Sequence, residues 1–163
     1  MTNPHRKPGR AAVVALVAFV VTVTLGAPAD AMAPSQSHRG DLATLVALVN
    51  SERAKAGCAA LTVDRKLGRA ARGHSRDMAA HRNMSHRGSD GSTLADRYAR
   101  VGYVWSTGGE NIASGYPTPE AVMAGWMDSS RHRANILNCR FKEIGVGHAG
   151  PGDYWTQDFG SAR

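Results

Sequence analysis

Beyond residue 33 this 163-residue chain has no long apolar run, and nowhere does it carry a GxSxG elbow, a phosphate-cradling glycine loop, an HExxH pair or a CxxC pair. The usual signatures of serine hydrolases, nucleotide binders, helix-borne zinc proteases and cysteine-rich zinc modules are therefore missing. Cysteine is scarce, at two residues, and there is no internal repeat or low-complexity tract. The arginines are scattered among Asp and Glu rather than gathered with aromatics into a stripe, which argues against nucleic acid as a partner.

What is present begins at the N-terminus. His5, Arg6, Lys7 and Arg10 precede an uncharged run from Ala11 to Ala27 rich in Val, Ala and Leu, followed by two small-x-small sites, Ala27-Pro28-Ala29 and Ala31-Met32-Ala33. The pattern predicts a cleavable export signal over residues 1–33, a short polar spacer over 34–40 and one domain over 41–163. A retained membrane anchor is the alternative, since about 17 apolar residues stand at the lower edge of what spans a bilayer. Gly26, Pro28 and the Ala-x-Ala site favour cleavage, after which no transmembrane segment remains and the expected location is secreted, outside the cell. The formal net charge of +7 falls to about +5 without the signal, enough for weak attraction to an anionic cell envelope. Export delivers Cys58 and Cys139 to an oxidising compartment, so a disulfide between them is expected; two buried free thiols are the alternative. Closing so long a loop stabilises a fold by about 4 kcal/mol in the chain-entropy model.

Leu42, Leu45, Val46, Val49 and Arg53 recur at helical spacing, with Asp41 as the expected cap and Gly57 as the stop. After an extended Leu61-Thr62-Val63, Asp64 caps a second expected helix whose face is Leu67, Ala70, Ala71, His74 and Met78, ending near His81. Thr93 to Asp96 reads as a capping box opening a short helix that Gly102 ends. Gly108-Gly109-Glu110-Asn111-Ile112-Ala113 reads as an irregular loop. Thr118-Pro119-Glu120 opens a helix carrying Val122, Met123, Trp126 and Met127 inward, and a further helical turn spans Arg131 to Leu137. Ile144 to Gly147 and Tyr154 to Phe159, around Gly150-Pro151-Gly152-Asp153, read as a β-hairpin. Helices first and the clearest strands last predict an α+β domain with helices packed on an antiparallel sheet.

The residues able to carry chemistry are then His and Glu in loops: His86, Glu110 and His132. Brought together they could ligate a divalent metal such as zinc with an open position, or form a hydrogen-bonded polar cluster with only a structural role. Their separation in sequence leaves both open. His74 is expected as a buried structural imidazole, and Trp126 and Trp155 as packing residues.

The ordered pieces Leu48-Val49-Asn50-Ser51-Glu52-Arg53, Ala71 to Ala79, Ser85-His86, Gly109-Glu110-Asn111-Ile112-Ala113, Trp126 to Leu137, Gly145-Val146-Gly147 and Trp155-Thr156-Gln157-Asp158-Phe159 resemble the CAP superfamily, whose SCP domain is found in cysteine-rich secretory proteins, antigen-five proteins and group-one pathogenesis-related proteins. The resemblance covers about Leu42 to Gly160 and is most like the bacterial branch. It implies an α-β-α sandwich with an antiparallel sheet between helical layers, and a cleft lined by two His and two acids that accepts divalent cations in some members. His86 matches the first cleft His and Glu110 the first acid; Ser129 stands where the second acid belongs, and Tyr154 where eukaryotic members have the second His. His132 and Asn135 belong to the bacterial His-Arg-x-Asn motif. The expected site is thus His86, Glu110, His132, Ser129, Tyr154 and Asn135, with the first three as possible metal ligands. The expected function is binding of an unidentified cell-envelope ligand or protein by a monomer. One alternative is a metal-assisted hydrolase using the same cleft, and another is a structural polar network with lipid or partner binding elsewhere.

Overall fold

A computed structural model describes residues 36–163; the export signal expected over 1–33 and the first two residues of the expected spacer lie outside the described residues. The first helix, α1 (Gln36–Lys55), opens five residues before Asp41, so Asp41 is not its cap and the remainder of the expected spacer is helical. Apolar periodicity marks only the part of a helix that packs, and residues 36–40 contain no proline to stop it. Leu45, Val49 and Arg53 form the buried face.

The chain then extends into β1 (Thr62–Val63), where the Asn50 side chain clasps both the amide and the carbonyl of Leu61. Asp64 caps α2 (Arg65–His81), accepting from the amides of Lys66 and Leu67, as its sequence signature requires. The capping box of Thr93 and Asp96 opens α3 (Leu94–Arg100). Next come β2 (Trp105–Ala113), α4 (Pro119–Asp128) behind its Thr118 cap, α5 (Ser130–Ile136), β3 (Glu143–Ala149) and β4 (Tyr154–Ala162).

The sheet runs β1-β3-β4-β2; β2, β4 and β3 pair antiparallel, and short β1 joins β3 in parallel, so the sheet is mixed rather than wholly antiparallel. The architecture is the expected α+β sandwich. One reading fails outright: Gly108 to Ala113 is not a loop but most of an edge strand in register with Trp155 to Gly160. Its glycines make room rather than a turn, since a Cβ on Gly109 would stand 2.8 Å from Phe141 Cζ and one on Gly108 3.2 Å from Tyr98 Cε2.

Side chains alternate across the sheet. Ile144, Val146, Trp155 and Phe159 join Leu45, Val49, Val122, Trp126 and Ile136 in the main apolar core. On the other face Gly145 and Gly147 let α2 lie directly against β3: a Cβ on Gly145 would sit 2.1 Å from the Leu67 carbonyl carbon. The Cys58–Cys139 disulfide closes the loop as expected. Beside it the guanidinium of wholly buried Arg53 donates to the carbonyls of Ala59, Ile136, Asn138 and Phe141, tying the segment after α5 to α1.

Candidate functional site

Glu110 on edge strand β2 stands directly opposite Asp158 on β4, on the face that packs on α2. Three other segments converge on its carboxylate. Arg97, from α3, donates Nη2 to Oε2 at 2.6 Å; His86, from the loop after α2, brings Nδ1 to 2.7 Å of Oε1; and His74, within α2, lies with Nε2 3.8 Å from Oε2. Arg97 is itself buried and also donates to the carbonyls of His86 and Ser92, so it anchors the loop that presents His86. Only His86 reaches solvent, its side chain 61% exposed.

Burial alone would raise the Glu110 carboxyl, but the His86 hydrogen bond and the charges of Arg97 and His74 outweigh it and hold the group below its ordinary range. The wholly buried Asp158 goes the other way: desolvation first, then the Glu110 charge, push it well above the carboxylate range. Burial also lowers His74, against the pull of Glu110, and lowers His132, with His86 adding to the effect.

Across the edge of β2, α5 builds the opposite wall. Asn135 donates to the Glu110 carbonyl at 3.0 Å and to Asn111 Oδ1 at 2.9 Å; Asn111 in turn donates to the His132 carbonyl and to Gln157. Trp126 Nε1 donates to the Ile112 carbonyl, so side chains cap the carbonyls that this edge would otherwise leave open. Between the walls lies a cavity of about 440 Å³ lined by His86, Glu110, Ser129, His132 and Asn135, together with Ser130 and Arg131.

Five of the six residues singled out from the sequence therefore border one space. Tyr154 does not: it opens β4 opposite Ala149, beyond the Ala113–Trp155 pair where β2 ends, and it packs at the hairpin turn against Gly152. It stands four residue steps along β4 from Asp158, about 13 Å. The proposed metal set does not fit either. Among the described residues no group of three or more His, Cys, Asp or Glu side chains is arranged to hold a metal ion. The cause is local: both Glu110 oxygens are engaged, one by the Arg97 guanidinium, a fixed cation where a metal would have to bind.

Sequence reasoning misses Arg97 and Asp158. A signal for Arg97 exists, because Leu94, Arg97, Tyr98 and Val101 share the inward stripe of α3, and a charged residue there needs a buried partner. Asp158 lies two residues from the buried Thr156, on the same face of β4, and can be read the same way.

A helical–sheet–helical sandwich with a His–Glu cleft at the edge of the sheet defines an SCP-type domain. The family model for CAP, the cysteine-rich secretory protein family, matches residues 46–159, and the chain belongs to that family. It is 42% identical over 115 residues to the uncharacterised protein YkwD of Bacillus subtilis (strain 168), a match covering 71% of this chain and 45% of that one. It is 36% identical over 112 residues to the uncharacterised membrane protein YlbC of the same strain, covering 69% of this chain and 32% of that one. The chain thus spans less than half the length of these curated relatives. Among solved structures, an extracellular protein containing a SCP domain from Bacillus anthracis strain Ames is similar with a TM-score of 0.72 and 33% identity, over 77% of this chain and 41% of that one. An outer surface protein of Borrelia burgdorferi shares the fold, with a TM-score of 0.72 and 21% identity over 77% of this chain and 95% of that one.

Proposed function

We propose that this CAP-domain protein is secreted and binds a ligand or partner at the cell envelope through the cleft between His86 and His132. The observation that carries the reading is the convergence of side chains from the loop after α2, from β2 and from α5 on one open cavity of about 440 Å³. Its Glu110 floor is held rigid by Arg97 and His86, and pre-set polar groups around a concavity are what recognition needs. The disulfide, the export signal read from residues 1–33 and the extracellular SCP protein among the structural neighbours support secretion. Among the described residues no helix is long and apolar enough to cross a membrane.

The hydrolase alternative asks His86, Glu110 and His132 to share a metal, and the engagement of both Glu110 oxygens counts against it. Co-sedimentation of the protein with isolated cell-envelope material tests the binding reading. A His86→Ala, His132→Ala double variant of unchanged thermal midpoint is expected to lose at least tenfold in apparent affinity. Equal binding by wild type and double variant overturns the cleft as the site. It would then favour a contact elsewhere, such as the groove of about 460 Å³ beside Leu42, Val46 and Val63.

A further inference from the structure

Glu110 is the one acid lining the cleft cavity, and its charge is already answered. The carboxylate and the buried Arg97 guanidinium form a pair at 2.6 Å that contributes no net charge to the floor, and the second oxygen accepts a hydrogen bond from His86 Nδ1. Where the family resemblance expects a second acid stands Ser129, whose hydroxyl makes no capping bond to α5. The Asn135 amide is spent on Glu110 and Asn111. The other lining residues are Ser129, Ser130, His132 and exposed Arg131, which takes part in no ion pair among the described residues. A wall of donors with one unanswered cation and no unanswered acid is complementary to negative charge.

We propose that the cleft takes an oxyanion, the carboxylate or phosphate group of its ligand, held by Arg131, His132 and the two serine hydroxyls, while Arg97 neutralises the one acid of the floor. The guanidinium fork suits either group, because both offer two oxygens in the spacing of its N–H donors. This rests on the reading of the cleft as a binding site and names what it recognises.

The test is backbone-amide NMR of the disulfide-intact protein titrated separately with sodium acetate, inorganic phosphate and zinc chloride at constant ionic strength. Saturable millimolar shifts at residues 86–87 and 129–132 with acetate or phosphate are expected, the tighter anion naming the source as carboxylate or phosphate. An Arg131→Gln variant is expected to bind at least tenfold more weakly with an unchanged melting midpoint, and Ser129→Asp to abolish binding. No saturable shift with either anion, equal affinity in Arg131→Gln, or zinc binding centred on Glu110 and His132 overturns the proposal. Its failure is separable from that of the binding reading. Cleft-dependent envelope binding without anion shifts sinks the oxyanion alone, whereas anion binding lost in Arg131→Gln beside cleft-independent envelope binding sinks the envelope role alone.

Discussion

The two faces of the sheet are built on opposite rules. Toward α1, α4 and α5 the strands present Ile144, Val146, Trp155 and Phe159, and the layer is held by apolar area. Toward α2 they present Gly145, Gly147, Thr156, Asp158 and Glu110, and the helix answers with Ala71, His74 and Ser75, whose hydroxyl bonds that of Thr156 at 2.9 Å. The first face fills volume, while the second removes it, so that backbone meets backbone and a small set of polar groups is enclosed. A site made of buried charge can exist on the second face because α2 and α3 supply a partner for each charge that remains. The apolar face gives up side chains by degrees; the glycine face has no slack to give.

The largest effect should therefore come from the smallest residue. Gly145→Val places a Cβ 2.1 Å from Leu67 backbone, which no rotamer relieves, and is expected to abolish the folded state as read by circular dichroism and amide dispersion. Trp126→Ala, on the apolar face, leaves a cavity and loses the bond to Ile112, and should cost about 3–5 kcal/mol in urea denaturation with folding retained. A tolerated Gly145→Val would mean that α2 rides higher on the sheet than the structure shows.

Polar pairing sharpens the contrast next. Arg97→Met strips the buried Glu110 of its guanidinium and should cost about 3 kcal/mol or more, because the carboxylate stays buried. The Arg97→Met, Glu110→Gln double variant should cost less than Arg97→Met alone, since the stranded charge is gone. Equal or additive losses in denaturation would show that Arg97 acts through packing rather than charge.

How much of this is legible in the sequence follows the same division. Local chemistry announces itself: the caps at Asp64, Thr93 and Thr118, the inward stripe of α2, and the β3–β4 hairpin each depend on residues close in sequence. Misread features depend on partners distant in the chain. Gly108 and Gly109 look like a loop until Tyr98 and Phe141 are seen pressed against them, and the extended Leu61-Thr62-Val63, though legible, does not announce that Thr62 and Val63 pair in parallel with β3. The site divides likewise. His86 and Glu110 sit in recognisable family motifs, but that Glu110 is neutralised by Arg97 and faces a buried Asp158 whose carboxyl is pushed upward follows only from the register of β2 on β4 and the docking of α3.

The subtlest prediction concerns that facing pair, whose two acids should act on stability in opposite pH windows. The Asp158 carboxyl sits above its ordinary value of 3.8 in the folded protein, so between that value and its folded one the native state keeps a proton that the unfolded chain has released. Its contribution is then best below pH 4 and declines as pH rises, by up to about 1.4 kcal/mol per pH unit. Glu110 sits below its ordinary 4.5, so its contribution is full above that value and is lost as pH falls through the folded one. Other groups titrate across the same range, and the informative quantity is the difference between wild type and Asp158→Asn in urea denaturation at each pH. That difference should grow in favour of the variant as pH rises from about 4, while the loss on the acid side, which belongs to Glu110, stays. A difference that does not change with pH would mean that Asp158 is ionised beside Glu110, and the polar face would then enclose a charge that the neighbouring helices do not answer.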